Sequence, residues 1–78
     1  MWEFEIRLQS VQDVQEFVAL ATGFPFPVQV GNDRYRANGK SFMEMFCLDY
    51  SRPLTASVEC SEAEQAEFRA VLGRFLVK

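Results

Sequence analysis

Gly39-Lys40-Ser41 is the segment of this 78-residue chain that most invites a chemical reading. A glycine, a lysine and a hydroxyl in succession recur where proteins hold phosphate. A P-loop needs a further glycine five residues upstream, so that bare backbone amides can wrap the anion; Arg34 stands there instead. It also needs an apolar strand before it and a parallel sheet around it, and so short a chain leaves little room for either. The chain contains no histidine, which removes the usual side chain for moving protons or phosphoryl groups near neutral pH. Ser10 could serve as a nucleophile only beside a base: Asp13, Glu16, or one of the two lysines, Lys40 and Lys78. Capping a helix needs only one amide as partner, and it is the simpler role for Ser10. Glu3, Glu5, Glu59, Glu62 and Glu64 fall on solvent-facing positions, and no spacing singles out a hydrolytic pair.

Composition narrows the classes further. Eight basic residues against eleven acidic give a net charge of -3, and a nucleic-acid binder needs a positive field to displace counterions. Cys47 and Cys60 lack metal-ligand spacing and are expected to fill space near the core; no metal and no cofactor is expected. The apolar runs are too short to cross a bilayer and no basic-then-apolar leader opens the chain, so the expected location is cytoplasmic, away from membranes. With 49% hydrophobic residues and eight phenylalanines, residues 1–78 are expected to form one small domain with one core.

The elements that must position these residues follow from periodicity. Trp2, Phe4, Ile6 and Leu8 alternate with Glu3, Glu5 and Arg7 as a half-buried strand. Ser10 and Asp13 form a capping pair for a helix whose buried stripe is Val11, Val14, Phe17, Val18 and Ala21, ended by a left-handed Gly23. Phe24, Phe26, Val28 and Val30 alternate as a second strand, its first half made irregular by Pro25 and Pro27. Gly31-Asn32-Asp33 signals a turn, and residues Arg34 to Asn38 return as a third strand. Ser41 and Glu44 cap a short helix with Phe42, Met45 and Phe46 inward. Leu54, Ala56, Val58 and Cys60 alternate as a fourth strand. Ser61 and Glu64 cap the last helix, with Phe68, Val71, Leu72, Phe75 and Leu76 on one face. Three apolar helix faces need a common partner, which predicts an α+β fold. This is an open-faced two-layer β-sandwich of order β-α-β-β-α-β-α, a four-stranded antiparallel sheet with three helices on one face.

That order and the run Lys40-Ser41-Phe42-Met43-Glu44-Met45-Phe46 together resemble HPr, the histidine-containing phosphocarrier of the bacterial sugar phosphotransferase system. HPr characteristically has Lys-Ser-Ile-Met-Gly-Val-Met at the start of its short second helix. Registering Ser41 on that serine aligns the chain without gaps back through both intervening strands and the first helix, with a short deletion near Cys60-Ser61. The active-site loop departs from the family. Where HPr carries Gly-x-His-Ala-Arg-Pro-Ala, this chain reads Leu8-Gln9-Ser10-Val11-Gln12-Asp13-Val14. Ser10 stands at the family histidine, Gln12 at the arginine that balances the phosphoryl charge, and Asp13 at the proline.

A phosphohistidine holds its phosphoryl group through a labile P–N bond, whereas a serine would form a stable ester. The resemblance therefore implies a degenerate phosphocarrier homologue that is not an enzyme. By the same resemblance, Ser41 matches the serine that a dedicated kinase phosphorylates in HPr of many Gram-positive bacteria. Phe42, Met43 and Phe46 match the apolar patch by which HPr docks onto enzymes and regulators. The implied partner is a protein, a transcriptional regulator or that serine kinase, and the family's catabolite-repression paralogue, which lost the histidine and kept the serine, is the precedent. The alternatives are a phosphocarrier or enzyme using Ser10 or Ser41, and a homo-oligomeric structural domain associating through Phe42 and Phe46.

Overall fold

The computed structural model describes residues 1–32 and 34–77, so the Asp33 position of the predicted turn and Lys78 lie outside the described residues. Four strands, β1 (Trp2–Ile6), β2 (Val28–Gly31), β3 (Arg36–Asn38) and β4 (Leu54–Val58), alternate with α1 (Val11–Thr22), α2 (Phe42–Phe46) and α3 (Glu62–Val71). A 3-10 turn, Gly73–Phe75, follows α3. The strands form one sheet of order β1-β4-β2-β3 with every pair antiparallel. This is the predicted open-faced α+β arrangement.

The pleat sorts the side chains. One face carries Ile6, Val28, Val30, Ala37, Leu54, Ala56 and Val58, which bury with Val14, Phe17, Val18, Met45, Phe68 and Leu72 of the helical layer in one core. The other face presents Glu3, Glu5, Gln29, Arg36 and Thr55 to solvent. Ser57 lies on that open face too, yet it is buried, and its hydroxyl donates to the Glu3 carboxylate at 3.4 Å. Aromatic rings cluster within this core. Phe68 packs against Phe4, Phe24 and Phe26 with centroids 6.2, 5.1 and 5.6 Å away, and Phe17 meets Phe75 edge-on at 6.0 Å. Full burial of a ring, as at Phe17, Phe68 and Phe75, contributes about 1.5–3 kcal/mol relative to exposure.

Several local expectations are corrected. Val11 and Val71, assigned to buried stripes, are 48% and 42% exposed; each is a terminal residue of its helix and projects beyond the covered area. Gly23 ends α1 in the right-handed region at φ -73°, its amide donating to the Leu20 carbonyl at 3.1 Å, so a tightened last turn replaces the left-handed cap. β2 begins at Val28, because Pro25 and Pro27 supply no ladder donors; Phe24 and Phe26 point into the aromatic cluster from a loop. β3 begins at Arg36 and β4 ends at Val58, which leaves Cys60 outside the sheet.

Candidate docking and phosphorylation surface

Both serines singled out in the sequence sit at helix starts. Ser10 has extended backbone (φ -156°, ψ 168°), and its Oγ accepts the Asp13 amide at 3.2 Å. The Asp13 carboxylate in turn accepts the Gln9 amide at 3.0 Å. Arg74, from the 3-10 turn, donates to Asp13 at 3.1 Å and also pairs with Glu16. The first turn of α1 therefore holds an anion of its own, and Arg74 balances it. Gln12 is exposed beside it.

This arrangement limits what Ser10 can do. A nucleophilic hydroxyl must donate its proton to a base. The Ser10 oxygen accepts the Asp13 amide, and among the described residues no base accepts the hydroxyl proton. An incoming phosphoryl group would meet the Asp13 carboxylate at the helix end that otherwise favours anions. A shallow cleft lined by Arg7, Leu8, Gln9, Tyr50 and Ser51 brings the loop after α2 against this helix start. In that loop the Ser51 hydroxyl and then its amide hold the Asp49 carboxyl below the usual carboxylate range.

Ser41 opens α2 in extended conformation (φ -116°, ψ 116°) and accepts the Glu44 amide at 3.4 Å. The Glu44 carboxylate accepts the Asn38 amide at 3.2 Å, tying the helix start to the end of β3. Lys40 reaches away, its ammonium donating to the Phe24 carbonyl at 2.5 Å, and so braces the loop between α1 and β2. With five residues, α2 makes little more than one turn, and only Met45 of its side chains is fully buried. Phe42 and Phe46, placed inward by helical periodicity but in an exposed docking patch by the family resemblance, are 43% and 44% exposed. Their rings stack on each other with centroids 6.2 Å apart, and Met43 beside them is 82% exposed.

The cysteines differ from expectation in part. Cys47 is exposed, with its Sγ–H donating to the Met43 carbonyl at 3.4 Å. Cys60 is half-buried against the core, and desolvation, then the Glu64 carboxylate, push its thiol pKa up. Among the described residues no group of three or more His, Cys, Asp or Glu side chains could hold a metal ion. No helix among the described residues is long and apolar enough to cross a membrane. The Arg74 contacts with Asp13 and Glu16 were not legible in the sequence, since they join positions about sixty residues apart with no local pattern.

No protein-family model matches the sequence, and no curated protein matches it. Solved structures do. HPr-C-His from Thermoanaerobacter tengcongensis superposes with a TM-score of 0.74 at 25% identity, covering 92% of this chain and 90% of that one. The histidine-containing phosphocarrier protein of Mycoplasma superposes at 0.67 with 13% identity, covering 95% of this chain and 98% of that one. Both superpositions run over nearly the full length of each chain. The chain has the HPr-like fold and is related through it to the phosphocarriers.

Proposed function

We propose that this chain is an HPr-like regulatory or protein-binding module that carries no phosphoryl group at Ser10 and acts through the surface around Ser41. The observation that carries this reading is the exposed Phe42–Phe46 stack with Met43 at its edge, beside the capping hydroxyl of Ser41. Half-exposed aromatic rings on one short helix serve a contact better than they serve the core, which already has Met45 there. The absence of histidine, together with the self-neutralised Asp13–Arg74 pair at Ser10, supports a lost relay. The protein is placed in the cytoplasm by this reading, where the partners of HPr proteins are found.

Ser41 is the proposed regulatory phosphosite, recognised by a serine kinase of the kind that modifies HPr. Added charge at a helix start is favourable, and the Glu44 carboxylate is engaged with the Asn38 amide. The test is incubation with ATP and that kinase. Labelling is expected in the wild type, lost in Ser41→Ala and increased in Glu44→Gly, which removes a nearby carboxylate. Unchanged labelling of Ser41→Ala would refute the site. A parallel incubation with phosphoenolpyruvate and the first enzyme of the phosphotransferase system separates the carrier reading, since acid-labile label on the chain would revive it.

A further inference from the structure

The two edge strands of the sheet each leave a single residue with both backbone groups unpaired among the described residues, and the two residues match. In β1 the backbone groups of the even positions face β4, and those of the odd positions face outward. Glu5 and Arg7 are each used in part: the Val77 amide donates to the Glu5 carbonyl at 3.0 Å and the Arg7 amide to the Phe75 carbonyl at 2.8 Å, so Glu5 keeps only its amide free. That leaves Glu3. In β3 the Ala37 position faces β2, so Arg36 and Asn38 face outward. Asn38 is used on both sides, its amide by Glu44 and its carbonyl by the Ser41 amide at 3.0 Å. That leaves Arg36.

Direction and side-chain face also agree. Strands alternate in direction across the order β1-β4-β2-β3, so β1 of a second copy set beside β3 by simple translation runs antiparallel to it. Glu3 and Arg36 both project from the open face, and neither has an ion-pair partner among the described residues. The register that joins the free backbone groups sets Arg36 directly opposite Glu3 of the second copy. The same register sets Ala37 opposite its Trp2 and Tyr35 opposite its Phe4 on the helical side. Opposite charges facing each other across antiparallel strands stabilise the pairing, as do aromatic neighbours.

We propose that this chain associates with copies of itself head to tail, β3 of one against β1 of the next, with Arg36 paired to Glu3. The contact is independent of the α2 surface. It rests on one backbone pair and one opposite-charge pair, so it forms at high protein concentration. It is also heterologous, so it leaves both ends of every assembly open. Light scattering with size separation tests it. The wild type should show a mass above 9.0 kDa that keeps rising with concentration, without halting at a dimer. Glu3→Arg and Arg36→Glu should each stay monomeric with unchanged circular dichroism, because each sets like charges opposite. An equimolar mixture of the two, and the double exchange in one chain, should regain the rise. A constant monomer mass for the wild type, or association of either single variant as strong as the wild type's, would overturn the proposal.

Discussion

Replacing Ser41 by alanine asks how much of that serine the fold itself requires. The hydroxyl accepts one amide, Glu44, at 3.4 Å, the longest of three corresponding caps; Ser10 and Ser61 accept theirs at 3.2 Å. It opens a helix of five residues, against twelve for α1 and ten for α3. N-cap serines contribute about 0.5–2 kcal/mol, and a long bond on a short helix belongs at the lower end, about 0.5 kcal/mol. In a domain this size that corresponds to a melting shift of roughly 2–4 °C. Ser61 belongs to a full capping box, with the Ser61 amide also donating to the Glu64 carboxylate at 3.1 Å, and α3 carries Phe68 into the aromatic cluster. Ser61→Ala should therefore lose about 1–1.5 kcal/mol. Urea unfolding followed by circular dichroism, with thermal melts alongside, measures both. A loss at Ser41→Ala equal to or larger than that at Ser61→Ala would refute the reasoning. It would mean that the short helix needs its cap for stability, and a regulatory role would then have less to explain.

Met45→Ala should destabilise by about 2–5 kcal/mol and Met43→Ala by less than about 0.5 kcal/mol, since the first is fully buried and the second 82% exposed; urea midpoints decide. Gly31→Ala should cost about 1–3 kcal/mol, because its new methyl group would overlap the Tyr35 carbonyl and crowd the Arg36 Cα at 2.8 Å. Ser10→His should accept no phosphoryl group from phosphoenolpyruvate and the first enzyme, because Asp13 and Gln12 remain; efficient transfer would show the loop is less altered than its geometry implies. Asp49 has its carboxyl pKa depressed by Ser51, so its contribution is present above the ordinary carboxylate range and is lost as pH falls through the lowered value. The midpoint of its carboxyl chemical shift against pH should move back up towards the ordinary value in Ser51→Ala.

Much of this fold is local in origin, and that part was legible. Three Ser-x-x-acid pairs marked three helix starts because an N-cap acts within one turn, and each serine does accept the predicted amide. Period-two alternation located β1, β2 and β4, a turn signal placed β3, and Pro25 and Pro27 explained why the second starts late. Burial at the helix ends was not legible. Periodicity assigns Val11 and Val71 to a face but does not say where the covering layer stops. The short α2 misled for the same reason, since a five-residue helix has too few side chains to define an inward stripe, and Met45 alone took the core position. Gln65 shows the converse case, a polar residue buried by α3 packing that no local pattern marks. At the site, the types and positions of Ser10, Gln12 and Asp13 could be read directly. The Arg74 bridge that neutralises Asp13 depends on where the chain's last turn folds back, and only the tertiary structure reveals it.

The central claim is that a phosphocarrier fold without its histidine works by contact through α2. A two-dimensional amide NMR titration of the isotopically labelled chain with the serine kinase that modifies HPr tests this most directly. The account predicts shifts or broadening concentrated at Ser41, Phe42, Met43 and Phe46, with the open-face residues Glu5, Gln29 and Thr55 unmoved, and loss of the response in Phe46→Ser. Perturbation centred on the open sheet face, or no perturbation of α2 at saturating kinase, would contradict it.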